Sequence, residues 1–185
     1  MMLSGHTALL GGSFNPPHLG HQMLCLCALE ALGAEEVWML PARVHPFHKA
    51  LVDFDHRVQM CQRVTRIFGT RARVDDVERD EQLSGRTYDT LRVLQARHPE
   101  RSFALLVGSD ILSESHEWYR WDDIQSMVRV AVIGRDGHIE AASPNIVLPD
   151  ISSKEIRRRL SAQQSVEGLL PVAVAEYINE HGLYR

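Results

Sequence analysis

The fold is decided by residues 7–21, which read TALLGGSFNPPHLGH. A short apolar run at 7–10 leads directly into Gly11 and Gly12, and a helical pattern begins at Leu19. A run of this length that ends at a glycine pair indicates a buried strand. The stretch therefore predicts a strand, a tight glycine turn and a helix in immediate succession.

The same order of elements recurs along the chain. Further short stretches that predict strands, most of them apolar, lie at 37–40, 71–74, 103–107, 128–133 and 146–148. Helical patterns lie at 19–32, 54–68, 90–97, 153–160 and 171–180. Strands that alternate with helices pair in parallel through right-handed crossovers. We therefore expect an α/β fold, a Rossmann-like doubly wound parallel sheet with a helical C-terminal portion, in one domain over residues 1–185.

Composition narrows the class of protein. The 185 residues carry a net charge of −4, whereas a dedicated nucleic-acid binder would have a basic surplus. No apolar run has membrane-spanning length, and the N-terminal residues do not have the pattern of a signal peptide. The cysteines Cys25, Cys27 and Cys61 are odd in number and lack CxxC spacing, which argues against disulfides and zinc. We expect a cytoplasmic protein that binds neither nucleic acid nor membrane.

The first loop has the chemistry of an anion site. Its pattern is neither GxGxxG nor the Walker sequence. Glycines let backbone N–H groups approach an anion closely, and the start of the next helix adds further donors. His18 and His21 are three residues apart, so they face the same side, and Gly20 is expected to leave space for a ligand. The alternatives are a plain turn with two capping histidines, or a metal pair, for which no third ligand is evident.

The segment GGSFNPPHLGH, residues 11–21, resembles the GG(T/S)F(D/N)PxHxGH segment of the HxGH nucleotidyltransferase superfamily. Within it the chain resembles the bacterial nicotinate-nucleotide adenylyltransferases, from Leu9 to Tyr184. The resemblance implies that ATP and nicotinate mononucleotide give deamido-NAD and pyrophosphate by direct in-line attack on the α-phosphate. It implies that His18 and His21 are catalytic and hold the triphosphate, and that ATP is bound by Gly12, Ser13, Phe14 and Asn15.

A basic loop follows the second strand. His45-Pro46-Phe47-His48-Lys49 resembles the family's P-x-x-x-P-P-H-K stretch, whose lysine neutralises a nucleotide phosphate. The resemblance therefore gives Lys49 a catalytic role, with Phe47 in the place of a proline. Without the resemblance, a solvated loop would be the default interpretation. The sequence does not decide whether His45 and His48 have a functional role.

Two further stretches of sequence include the residues that are expected to contact the acceptor, nicotinate mononucleotide. Arg86-Thr87-Tyr88-Asp89-Thr90-Leu91 resembles the family's S-Y-T-x-x-T-L, in which backbone near Thr87 receives the pyridine carboxylate. Gly85-Arg86 stands in place of Ser-Tyr, and the alternative is that Thr87 only caps the helix.

The second acceptor stretch resembles the family's G-x-D…W pattern. Gly108 and Asp110 follow the best strand and are expected to contact ATP, since a carboxylate there can accept bonds from ribose hydroxyls. Trp118 and its neighbour Tyr119 are expected beside the nicotinate ring. Trp121 is expected to pack.

The segment that begins at Ile151 resembles the family's I-S-S-(S/T)-x-I-R motif, with Lys154 where a third hydroxyl is common. Ser152 and Glu155 form a capping-box pattern, which is a structural alternative that can coexist with function. The resemblance gives Arg157 a catalytic role, as a cation that stabilises the reacting phosphates. Phosphate contacts are also expected from Ile151, Ser152 and Ser153 of this segment and from the strand-end Arg135.

Mg²⁺ is expected to arrive with ATP, because the sequence shows no carboxylate cage and no dedicated metal site. The resemblance also implies a homo-oligomer. Two rival functions remain at this stage. One is adenylyl transfer to another phosphorylated acceptor, such as nicotinamide mononucleotide or phosphopantetheine, and the other is a regulator that binds nucleotide without catalysis.

Overall fold

The computed structural model describes residues 2–44, 51–80, 83–109, 118–135 and 146–185. These residues contain a six-stranded sheet in which all neighbouring strands run parallel, in the order β3-β2-β1-β4-β5-β6. The strands are β1 (His6–Gly12), β2 (Glu36–Pro41), β3 (Ala72–Val74), β4 (Ser102–Gly108), β5 (Arg129–Arg135) and β6 (Val147–Leu148). The predicted doubly wound parallel sheet is confirmed, and each predicted strand is found within two residues of its expected bounds.

The helices lie between these strands and after them. They are α1 (Leu19–Leu26), α2 (Phe54–Thr65), α3 (Thr87–Arg97), α4 (Trp121–Met127), α5 (Ser153–Ser161) and α6 (Val172–Glu180). The predicted helix over 19–32 changes to a π-helical turn at Cys27–Ala31, and the one over 54–68 ends at Thr65 in a 3-10 segment, Arg66–Arg71. The sequence analysis missed α4, because its seven residues bury only Ile124 and so show no helical period.

Both faces of the sheet are covered. Ala8 and Leu10 of β1 lie in a core with residues of α1, α2, α5 and α6. Leu9 points to the opposite core, together with Leu91 of α3 and Ile124 of α4. Because successive side chains of a strand alternate between the two faces, and both faces are buried here, the inner strands β1, β2 and β4 are largely apolar runs in the sequence.

The three cysteines carry no disulfide. Cys25 and Cys61 are buried in the larger core, and burial raises the pKa of the Cys25 thiol to about 12. Over the parts of the chain that the structure describes, no helix is both long enough and apolar enough to cross a membrane.

Candidate active site

The first loop leaves the sheet where the strand order reverses. Gly11 pairs with Leu40 of β2 and Gly12 pairs with Pro41, while the other side of β1 pairs with β4. In open parallel sheets, ligands bind beyond the carboxyl ends of the strands at such a reversal. The segment that the sequence analysis selected therefore lies at the expected binding position of this fold.

The loop itself takes an irregular path. Phe14 has a positive φ of 46°, and the peptide bond between Asn15 and Pro16 is cis. The Phe14 ring is buried and meets the His21 ring edge-on, with 4.9 Å between centroids. A Cβ atom on Gly12 would lie 3.1 Å from this ring, so glycine is needed there for packing. Any ATP contact at position 14 must therefore come from the backbone, because the side chain belongs to the core.

His18 and His21 form a compact pair at the start of α1. Their ring centroids are 3.8 Å apart, and the backbone N–H of His18 donates to Nδ1 of His21 at 3.1 Å. With Nδ1 as acceptor, a neutral His21 carries its proton on Nε2, which becomes the donor.

The surroundings of Gly20, next to this pair, differ from the prediction. A Cβ atom at this position would lie 3.0 Å from Nδ1 of His18. The space beside Gly20 is therefore taken by the His18 ring, and the expectation that it is left for a ligand is wrong. His18 is only 2% exposed as a result of this packing.

Asn15 anchors the loop from inside. Its Oδ1 accepts hydrogen bonds from the backbone N–H of Val52 at 3.2 Å and from the hydroxyl of Tyr184 at 2.9 Å. Burial raises the pKa of the Tyr184 hydroxyl well above its ordinary value, so it stays a donor. In this structure the side chain of Asn15 thus holds the loop in place.

The start of α5 is attached to the same loop. The Ser153 hydroxyl donates to the carbonyl oxygen of Pro16 at 2.8 Å, and Arg157 donates to the carbonyl oxygen of Asn15 at 2.6 Å. The structure therefore brings Ser153 and Arg157 against the His18 loop, although more than 130 residues of sequence separate them.

Only half of the predicted capping box is present. Ser152 is the N-cap of α5 and accepts from the backbone N–H of Glu155 at 3.3 Å. The Glu155 carboxylate instead accepts from the guanidinium groups of Arg158 and Arg159. These two cations hold the pKa of Glu155 at about 2.

Arg57 of α2 is a site residue that the sequence analysis missed. Its guanidinium is 1% exposed and donates to four carbonyl oxygens, those of Val52, Ser13, Ala42 and Arg43. Desolvation by burial lowers its pKa. A signal was present in the sequence: position 57 shares the apolar face of α2 with the buried Met60, Cys61 and Val64, at spacings of three, four and seven residues.

The predicted acceptor residues meet around the start of α3. Thr87 is the first helical residue and Arg86 occupies the N-cap position, so the alternative that Thr87 caps the helix is wrong. The Arg86 guanidinium lies 4.3 Å from the centroid of the Tyr119 ring, and Tyr88 meets the same ring edge-on at 6.0 Å. The structure thus brings the Thr87 segment together with Tyr119, which is 47% exposed.

Trp118 and Trp121 contact one another edge-on, with 5.4 Å between ring centroids. Both pack against the core that includes Leu91 and Ile124. Trp121, as predicted, packs, and Trp118 keeps an exposed fraction beside Tyr119.

Lys49 and Asp110 lie outside the described residues, as does the side chain of Arg135, whose backbone ends β5. Gly108 is the last residue of β4, at the same edge of the sheet as Gly12. Within the described ranges, no group of three or more histidine, cysteine or acidic side chains is placed to hold a metal ion.

The sequence and the fold resemble those of known proteins. The sequence model of the family described as cytidylyltransferase-like matches residues 9–159. A protein of Anaeromyxobacter sp. (strain K) named "Probable nicotinate-nucleotide adenylyltransferase" is 46% identical, and the match covers 96% of each chain. A Myxococcus xanthus protein of the same name is 38% identical, with 96% of this chain and 93% of that protein covered. Among solved structures, the Plasmodium falciparum nicotinic acid mononucleotide adenylyltransferase complexed with NaAD superposes with a TM-score of 0.82 at 21% identity, over 97% of each chain.

Proposed function

The chain belongs to the cytidylyltransferase-like family, and we propose that it transfers the adenylyl group of ATP to nicotinate mononucleotide, with release of pyrophosphate. The observation that carries this proposal is the His18–His21 pair. It stands at the mouth of a glycine turn, at the point where the strand order of the sheet reverses. The shared name of the full-length relatives supports the same acceptor.

The reaction is a single displacement at phosphorus. A phosphate oxygen of nicotinate mononucleotide forms a bond to the α-phosphorus of ATP, the bond from that phosphorus to the bridging oxygen of the β-phosphate breaks, and pyrophosphate leaves. No side chain becomes covalently modified. Catalysis consists of positioning and of stabilising the negative charge that develops on the phosphate oxygens.

The first loop and the start of α5 supply the groups for ATP. The N–H groups near Gly12 and Ser13 approach the phosphates, and the imidazoles of His18 and His21 donate to them. The segment that begins at Ile151 adds the start of α5, with Ile151, Ser152 and Ser153. The cations Arg157 and Lys49 stabilise the transferring and leaving phosphates, and Arg135 lies near the nucleotide.

Mg²⁺ belongs to the substrate in this proposal. The described first loop presents backbone N–H groups and imidazoles, a donor set that suits phosphate oxygens and does not suit a bare Mg²⁺ ion, which prefers carboxylates and water. The ion therefore enters as the ATP complex, where it neutralises phosphate charge.

The acceptor lies on the α3 side. The first turn of α3 at Thr87 offers free N–H groups and a partial positive charge, which favour the nicotinate carboxylate over the neutral amide of nicotinamide. Trp118 and Tyr119 provide the aromatic surface for the pyridine ring. The ribose hydroxyls are assigned to Asp110, next to Gly108.

The decisive experiment measures pyrophosphate release by the full chain with ATP, Mg²⁺ and one acceptor at a time. We expect the highest kcat/KM with nicotinate mononucleotide, and a lower value with nicotinamide mononucleotide or phosphopantetheine. A preference for either of the other acceptors would overturn the assigned substrate. ATP binding without pyrophosphate release from any acceptor would favour a nucleotide-binding regulator.

Three further properties complete the proposal. Residues 1–185 act as one domain, the location is the cytoplasm, where ATP is available, and the active form is a homo-oligomer. Sedimentation analysis of the purified chain tests the last of these.

A further inference from the structure

A pair of buried, oppositely charged side chains connects the two halves of the site. Arg57 is 1% exposed and Glu78 is 7% exposed. They act on the same peptide group, the one between Ala42 and Arg43. Its carbonyl oxygen accepts from Arg57 at 2.6 Å, and its N–H donates to the Glu78 carboxylate at 3.1 Å. The guanidinium thus lies at the negative end of this peptide dipole and the carboxylate lies at the positive end.

On the ATP side, the connection continues into the first loop. Arg57 also donates to the carbonyl oxygen of Ser13 at 2.8 Å. The backbone N–H of Ala42 donates to the carbonyl oxygen of Gly12 at 2.9 Å. The position of the glycine turn is therefore set directly by the segment that Arg57 holds.

On the acceptor side, the connection continues into α3. The second carboxylate oxygen of Glu78 accepts from the Thr90 hydroxyl at 2.9 Å. Thr90 lies in the first turn of α3, three residues after Thr87. Glu78 itself comes from the short 3-10 segment Val77–Arg79, between β3 and α3.

Arg57 also contacts the described backbone on either side of the basic stretch. It donates to the carbonyl oxygens of Arg43 at 3.4 Å and Val52 at 2.9 Å. These two residues lie before and after the segment of sequence that contains Lys49. One guanidinium thus contacts the first loop at Ser13 and two described residues, Arg43 and Val52, that flank the basic stretch in the sequence.

Burying two charges is costly, and a buried ion pair often adds nothing to stability compared with apolar residues of the same volume. Stability therefore does not explain why these two charges are buried, whereas a role in fixing the geometry of the site does. We propose that Arg57 and Glu78 are positioning residues for the transfer reaction. Through the peptide group between Ala42 and Arg43, they fix the distance between the loop that holds the triphosphate and the helix that receives the acceptor. The inference rests on the proposed function.

Arg57→Lys is the main test, because lysine keeps the charge but its compact ammonium cannot span four carbonyl oxygens. A misplacement of about 1 Å far from the chemistry can lower a rate by about 10²-fold, so we expect kcat to fall roughly 10- to 100-fold. ATP still contacts the first loop and nicotinate mononucleotide still contacts α3, so the KM values for the two substrates should each change by less than about threefold. Glu78→Gln should lower kcat in the same way but less, because glutamine keeps the shape and one acceptor oxygen.

Val64→Ala is the matched control. Val64 is fully buried, two turns further along α2, and its side chain lies in the core. We expect it to lower the melting temperature but to keep kcat within about twofold of the wild type when assayed well below that temperature. The double variant Arg57→Lys/Glu78→Gln should lose little more kcat than Arg57→Lys alone, because the two residues act as one unit.

The inference is overturned if Arg57→Lys keeps the wild-type kcat, if its loss lies in KM alone, or if Val64→Ala loses as much kcat at an equal drop in melting temperature. Wild-type turnover is measured first in the same assay. If the wild type releases no pyrophosphate with any acceptor, both the proposed function and this inference are wrong. If the wild type is active and Arg57→Lys is unaffected, only the inference fails.

Discussion

The hydroxyl of Tyr184 donates a hydrogen bond to Oδ1 of Asn15 at 2.9 Å, across 169 residues of sequence. The same oxygen accepts from the backbone N–H of Val52, so both of its lone pairs are used. Asn15 is 3% exposed, and its carbonyl oxygen accepts from Arg157. The conformation of the first loop is therefore maintained by residues close to the other end of the chain.

Tyr184→Phe removes one of these bonds and leaves the other in place. We expect the free energy of unfolding to fall by about 1 kcal/mol, since a buried acceptor loses one of two donors. Urea denaturation measures the change. Tyr119→Phe, on a half-exposed ring, is the control and should change stability by less than about 0.5 kcal/mol. Equal effects in the two variants would contradict the anchoring role of Tyr184.

His18→Ala tests the transition-state role of the histidine pair. Loss of one preorganised donor to a developing negative charge lowers kcat by roughly 10²- to 10³-fold. The measurement is initial-rate pyrophosphate release at saturating substrates. His6→Ala changes a histidine at the other end of β1, whose Nδ1 contacts the carbonyl oxygen of Ser4, and it should leave kcat unchanged. An unchanged rate in His18→Ala would remove this residue from the catalytic set.

Gly20→Ala tests whether the position of the His18 ring matters for catalysis. The added Cβ atom would lie 3.0 Å from Nδ1 of His18, so the buried ring must shift by a few tenths of an ångström. We therefore expect kcat to fall about tenfold or more, measured as pyrophosphate release at saturating substrates well below the melting temperature. A variant that keeps full activity would show that the position of the His18 ring does not matter.

Arg157→Gln and Arg158→Gln form a matched pair on adjacent residues of α5. Arg157 donates to the first loop at Asn15, whereas Arg158 pairs with Glu155 on the surface of the helix. We expect kcat/KM for ATP to fall by at least about tenfold in Arg157→Gln, because a charge-assisted contact contributes roughly 1.5–3 kcal/mol. Arg158→Gln should stay close to wild type. Similar losses in both would indicate a general effect on the helix.

The stability of the protein should respond to Glu78 in a defined direction with pH. Burial raises the pKa of this carboxyl above its ordinary value of 4.5. In the pH window above 4.5 the folded state therefore binds more protons at this site than the unfolded state does, and its contribution to stability falls as the pH rises. In Glu78→Gln this dependence is gone. Urea titrations should show the wild type losing stability relative to the variant as the pH rises above 4.5. A trend in the opposite direction would contradict the desolvated state of Glu78.

The element pattern was readable because each element depends on local periodicity. Strands β1, β2 and β4 are buried on both faces, so each one is a largely apolar run that ends at a glycine or a proline. Helix α4 was not predicted, because its seven residues are too few to show a helical period. The role of Gly20 was misread for a related reason: sequence shows that a side chain is missing there but does not show what fills the space.

By itself, the sequence determined the alternating fold, the position of the glycine turn and the histidine pair, since strand, turn and helix follow one another within fifteen residues and need only local backbone preferences. Tertiary structure alone decided how the site is held together. The contacts of Arg57 with Ser13 and Ala42, of Glu78 with Thr90, and of Tyr184 with Asn15 join segments that have no shared period or motif. Such bonds form only after the chain has folded and water has been removed from the polar groups, which then need partners wherever the packing places them.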